Sequence, residues 1–185
     1  MPWPTKFTAI RMLSLIYLLM LLASPCGYSE AAPAKAERGL KVGDAVPWIA
    51  GWAVDGQVIN LNQLLKRGHK VNVLIVSASW CAACKVCLNK LQPMASRIRA
   101  KNTGLFAVDF MEDAVTAKDY LTKFGFPADS IILDRFGAIL NSLSVHGGKK
   151  VESEEAALPH TVVFDQAGKV IEAGEGCPDA YLKNN

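Results

Sequence analysis

Val71-Asn72-Val73-Leu74-Ile75-Val76 is an almost continuous β-branched run, the pattern of a central strand buried on both faces. The small residues Ser77-Ala78-Ser79 follow, and the period then changes. Val86, Leu88, Leu91, Met94, Ala95 and Ile98 recur at helical spacing, with Lys85, Lys90, Arg97, Arg99 and Lys101 between them, which predicts one long amphipathic helix. Upstream, apolar-rich runs flank Asp55-Gly56 between Pro47 and Leu61, the signature of a β-hairpin, and a short helix is expected through Asn62 to Arg67. Downstream the pattern predicts a strand over Leu105 to Phe110, a helix over Ala114 to Phe124 and a short strand or extended link over Ser130 to Leu133. A helix over Phe136 to Val145 and a strand over Thr161 to Phe164 come next, then a turn at Asp165-Gln166-Ala167-Gly168 into a strand over Lys169 to Ala173. Strands and helices that alternate and finish in a hairpin predict an α/β fold: a mixed central sheet with helices on both faces. No internal repeat or low-complexity tract interrupts it.

The amino-terminal 31 residues follow different rules. Lys6 and Arg11 precede an apolar core from Met12 to Ala23, with small residues around Ser29-Glu30-Ala31, which reads as an export signal. The core is shorter than the roughly 20 residues of a spanning helix. Cleavage, retention as an inner-membrane anchor, and lipid attachment at Cys26 are the three alternatives, although Pro25 suits a lipoprotein signal poorly. Residues 32–185 then make one domain, large enough to bury a core. Losing Lys6, Arg11 and Glu30 lowers the formal charge from +3 to +2, and nothing in that balance points to nucleic acid. Outside the cytoplasm, the four remaining cysteines, 81, 84, 87 and 177, are free to oxidise into staples or redox sites.

Trp80-Cys81-Ala82-Ala83-Cys84 lies at the predicted strand-to-helix junction. Dithiol–disulfide exchange needs one thiolate to attack and a second thiol to release the mixed disulfide, and a spacing of three supplies both. With Cys81 capping a helix that begins near Ala82, the unpaired N–H groups and positive dipole end stabilise its thiolate. Cys81 is the expected nucleophile and Cys84 the resolver. A passive disulfide is the plainer reading, but it leaves the helix-start placement unexplained.

The hairpin before the core strand, W-C-x-x-C, and the string Leu158-Pro159-His160-Thr161-Val162-Val163-Phe164-Asp165-Gln166-Ala167-Gly168-Lys169-Val170 together resemble the exported thioredoxin-like reductases of the TlpA and ResA type. The likeness runs from about Leu40 to Gly176. It implies a thioredoxin fold with an added N-terminal β-hairpin, no metal or organic cofactor, and action on disulfides of other exported proteins, apocytochromes c among them. A periplasmic or other extracytoplasmic location and recharging by a membrane electron donor follow from the same likeness. It further implies that Pro159 is cis and faces the cysteine pair, that its strand offers backbone groups to the substrate, and that Trp80 and Leu158 help shape that surface.

Several positions depart from the family pattern. Ala83 stands where members often carry proline, Cys87 where many relatives carry a glutamate, and Ile75 where cytoplasmic thioredoxins bury an aspartate. Either acid would help move the resolving cysteine's proton, so water is left to do so. Cys87 and Cys177 are candidates for an additional disulfide with the active site, since the strand ending near Gly174 returns toward Cys81. The alternative makes Cys87 a small core residue and Cys177 an unpaired loop thiol. A copper-handling chaperone using Cys81, Cys84 and Cys87 with His160 or Met94 is the rival of a different class. A peroxidase would need a proline- and threonine-rich loop, which Ser77 to Cys81 lacks. His69 and His146 are expected in exposed turns, Trp48 and Trp52 in the core or its wall, and Asp109 and Asp113 as solvated strand-end residues without a role. The stretch 146–156 reads as a solvated loop, with partner selection as its functional alternative. Only Pro178 to Asn185 remain to supply the terminal helix of the family, so part of one sheet face is either left open or covered from elsewhere.

Overall fold

The computed structural model describes residues 39–144 and 157–184. The export signal, His146 and the 146–156 loop lie outside the described residues.

Gly56 (φ 87°) turns the chain between β1 (Ala50–Ala53) and β2 (Val58–Asn60), a conformation that glycine adopts without steric cost. Asn60 then caps α1 (Leu61–Lys66): its side chain accepts from Gln63 N, while the Gln63 side chain accepts from Asn60 N. The β-branched run becomes β3 (Val71–Ser77), followed by α2 (Ala82–Leu91), a 3₁₀ turn (Gln92–Met94) and α3 (Ala95–Ala100). The single long helix expected from the periodicity is therefore broken. Pro93 is the cause, because it has no N–H to continue the ladder and its ring crowds the preceding turn.

Next come β4 (Thr103–Phe110), α4 (Ala114–Thr122), a 3₁₀ turn (Ala128–Ser130), β5 (Ile131–Asp134) and α5 (Ala138–Ser144). Strands β6 (His160–Asp165) and β7 (Val170–Glu175) and the five-residue helix α6 (Asp179–Lys183) complete the described chain. The sheet order is β2-β1-β5-β4-β3-β6-β7, with β3, β4 and β5 parallel to one another and every other pairing antiparallel. This is the expected mixed sheet with its added hairpin.

Alternation along β3 distributes the core. Leu74 and Val76 join Phe106, Val108, Val162 and Phe164 on one face, covered by Leu61 and Leu64 of α1 and Ile139, Leu140 and Leu143 of α5. Val73 and Ile75 join Leu105, Ala107 and Val163 on the other, under Leu88 and Leu91 of α2, Ile98 of α3 and Leu121 of α4. Each such side chain contributes roughly 1.5–3 kcal/mol by leaving water. Short as it is, α6 buries Tyr181 and Leu182 on the second face, so that face has a terminal cover after all. At Gly104 a β-carbon would stand 2.5 Å from the His69 ring, which shows how closely that loop approaches β4.

Three expectations are corrected. Trp48 is 59% exposed rather than in the core. His69 is half-buried, with its Nδ1 3.3 Å from Asn102 Oδ1. Asp109 is fully buried within β4, because the strand runs past it to Phe110 and α4 covers its face of the sheet, while Asp113 caps α4 through Val115 N and Thr116 N.

Candidate active site

Chain direction sets the site. β3 and β4 run in register to the pair Ser77 and Asp109, so the loop Ala78-Ser79-Trp80 leaves the sheet at the carboxyl ends of both strands. Glu112, just past β4, holds that loop from the side by accepting from Ser79 N at 2.7 Å and from Ser79 Oγ at 2.5 Å. Trp80 is left 58% exposed beside the cysteines. The chain then enters α2 with Cys81 as the N-cap (φ −83°, ψ 105°), and the Cys81 sulfur accepts the Cys84 backbone N–H at 3.0 Å.

Cys81 and Cys84 form a disulfide with their Cα atoms 5.2 Å apart. Cys84 is completely buried and Cys81 is 8% exposed, so an approaching group meets Cys81 first. When the bond is reduced, the same N–H and the positive helix end face a Cys81 thiolate.

The β3–β6 register places His160 opposite Val76, which brings Leu158 and Pro159 to the edge from which the cysteine loop departs. The Leu158–Pro159 bond is cis, and the Pro159 carbonyl accepts Gly176 N–H at 2.7 Å. Leu158 packs against the first-face cluster that includes Cys81 and Cys84. His160 is buried, and neither ring nitrogen has a hydrogen-bond partner. Burial lowers its pKa from the usual value, with Glu175 across the β6–β7 pair acting in the opposite direction.

Cys87 and Cys177 also form a disulfide, and they form it with each other rather than with Cys81 or Cys84. Cys87 is thus a core residue on the inner face of α2, and Cys177 is not an unpaired thiol. The copper reading loses its donors here, because Cys81, Cys84 and Cys87 are divided between two disulfides. Among the described residues no group of three or more histidine, cysteine or acidic side chains is arranged to hold a metal.

Asp109, beside the Glu112 that holds the cysteine loop, is the buried acid that sequence reasoning missed. Neither of its oxygens has a hydrogen-bond partner, and the same holds for the buried hydroxyls of Ser77 and Tyr120. Burial first, and the neighbouring Glu112 carboxyl second, raise the Asp109 pKa to about 8. Its signal in the sequence was the alternation itself: Leu105, Ala107 and Asp109 lie on one face of β4.

The Redoxin family model matches residues 41–180. The chain is a member of the Redoxin family. Solved structures with the same fold include a thiol:disulfide interchange protein from Bacteroides sp., 18% identical over 78% of this chain and 88% of that one, with a TM-score of 0.60. The thioredoxin domain of a thiol-disulfide oxidoreductase from Bacteroides vulgatus is 17% identical over 78% and 96%, with a TM-score of 0.58. A Chlorobium tepidum chain assigned as the thiol:disulfide interchange protein DsbE is 24% identical over 78% and 94%, with a TM-score of 0.58. No curated protein sequence matches this redoxin. A cysteine pair at a helix start, on a thioredoxin-like sheet in a redoxin, is the arrangement of a thiol:disulfide oxidoreductase.

Proposed function

We propose that this redoxin is an exported reductase of disulfides in other exported proteins, apocytochromes c among them. The observation that carries the chemistry is Cys81 at the α2 N-cap, its sulfur accepting the Cys84 N–H while bonded to Cys84. In the reduced enzyme the Cys81 thiolate attacks one sulfur of a substrate disulfide. The substrate's other sulfur departs as a thiolate, and a mixed disulfide remains. Cys84 loses its proton and attacks Cys81, which closes the Cys81–Cys84 bond and frees the second substrate thiol. Two electrons pass to the substrate, and a membrane dithiol donor returns them to the enzyme.

Pro159, Leu158 and Trp80 form the surface that receives the substrate chain. Support for that assignment is their shared edge: Trp80 is exposed next to Cys81, and the β3–β6 register brings Leu158-Pro159 alongside. Support for export is the apolar stretch from Met12 to Ala23 after Lys6 and Arg11. Fractionated cells are expected to hold the protein outside the cytoplasm, and recovery in the cytosol would remove the exported half of the proposal.

Insulin reduction by the wild type and by Cys81→Ser tests the activity. The wild type should precipitate insulin chains in a dithiol-dependent reaction that the variant lacks, and equal rates would overturn the assignment. Direction is read from the Cys81–Cys84 midpoint. A value near the roughly −270 mV of thioredoxin supports a reductase, whereas one near the roughly −120 mV of a strong oxidant reverses it.

A further inference from the structure

Helix α2 carries two disulfides one turn apart. Cys84 and Cys87 both lie on its buried stripe, at 0% and 1% exposure. Cys84 closes back to the helix start, while Cys87 reaches across 90 residues to Cys177, with a Cα separation of 5.5 Å. Cys177 is only half-buried, so a thiolate from solvent meets its end of the bond rather than the Cys87 end. It follows Gly174 (φ 152°) and Gly176 (φ 102°), whose backbones rotate where other residues would be strained. Gly176 is also tied to the Pro159 edge twice over: its N–H donates to Pro159 O at 2.7 Å, and its carbonyl accepts from Thr161 Oγ1 at 2.7 Å. The second disulfide therefore links the helix that Cys81 caps to Cys177, the chain neighbour of the glycine that braces Pro159.

We propose that Cys87–Cys177 is a second exchangeable disulfide, coupled to Cys81–Cys84 through α2 and the Gly176–Pro159 bond, so that the domain stores four electrons rather than two. This rests on the oxidoreductase function proposed above. One thiolate of an external dithiol attacks Cys177 Sγ. The Cys87–Cys177 bond breaks, a mixed disulfide forms at Cys177, and Cys87 leaves as a thiolate that takes a proton from solvent. The dithiol's second thiolate then attacks its own bonded sulfur. Cys177 is released as a thiolate, and the dithiol departs as a disulfide, two electrons lighter. With that bond open, the segment around Gly176 keeps only packing and the exposed Lys90–Asp179 ion pair (3.9 Å) as links to α2. Oxidised and reduced forms of Cys81–Cys84 then experience a different edge, and their equilibrium shifts.

The test titrates the full chain in dithiol buffers of graded potential, alkylates free thiols, digests with trypsin and follows the fold by circular dichroism. Cleavage after Lys85 separates the pairs: Cys81 and Cys84 lie upstream, Cys87 falls in residues 86–90 and Cys177 in residues 170–183. The four cysteines of the two disulfides should label while the fold persists, in two steps, with Cys26 read separately in its own peptide. In Cys87→Ala/Cys177→Ala, the remaining pair should show an equilibrium constant altered about tenfold, roughly 30 mV. The proposal fails if Cys87 and Cys177 stay unlabelled until the fold is lost, or if the midpoint of the variant matches the wild type. A chain whose Cys81–Cys84 peptide never labels sinks the oxidoreductase reading as well. Should the double variant not fold, the wild-type titration decides alone.

Discussion

Two halves of one strand obey different rules. From Val71 to Val76, β3 is bonded to β4 on one side and β6 on the other, and its side chains, the buried Asn72 apart, alternate into two apolar clusters. From Ser77 onward the surroundings are polar: Ser77 stands opposite Asp109, Ser79 is gripped by Glu112, and Cys81 starts the helix. The first half lowers the free energy of the fold through burial. The second half opposes it, since the Asp109 carboxyl and the Ser77 and Tyr120 hydroxyls are buried without partners, each a desolvation cost. Apolar burial is therefore concentrated below the cysteine edge, apart from Asn72, whose side chain is itself buried without a partner, while the Asp109, Ser77 and Tyr120 groups gather beneath the Cys81 loop, where functional sites characteristically carry such penalties.

Substitutions should separate the halves. The largest effect on activity comes from Cys81→Ser, which should reduce insulin turnover to the uncatalysed background while the melting curve moves little; retained turnover would mean the polar edge is not the reactive one. Phe106→Ala, in the apolar half, should cost about 3–5 kcal/mol in urea unfolding and leave turnover per folded molecule intact. Asp109→Asn tests the burial penalty itself. A carboxyl that holds its proton to about pH 8 when folded but releases it near 3.8 when unfolded loses stability as pH rises between those values, at most about 1.4 kcal/mol per pH unit. Asparagine does not titrate, so the variant's melting temperature should fall less steeply from pH 4 to pH 8, and parallel curves would remove Asp109 from the comparison. Ser79→Ala should have the smallest effect, about 1 kcal/mol, because Glu112 still accepts the backbone N–H. A larger loss on thermal denaturation would show that the loop depends on the hydroxyl.

The legible parts of this chain were those governed by short-range periodicity. Val71–Val76, the Asp55-Gly56 hairpin and the helix start at Ala82 each announce themselves within a few residues. Pro93 was equally local, yet the apolar spacing on either side of it concealed the break between α2 and α3. Asp109 and the Cys87–Cys177 pair were not legible for a different reason. Whether an aspartate at the end of a strand is wet or dry depends on how far the strand extends and on what α4 covers, and two cysteines 90 residues apart meet only through the return of β7. Trp48 shows the converse, an aromatic residue whose composition suggested the interior while the packing left it outside.

The Cys87–Cys177 link also has a mechanical consequence. A pulling force applied at the two ends of the chain enters at residue 87 and leaves at residue 177, bypassing the 90-residue span between them. At about 3.3–3.6 Å per extended residue, roughly 300 Å of contour is withheld from the force, including β4, β5 and β6. Reduction returns that length in full, so a single stretched molecule reports the state of this bond as two distinct extensions.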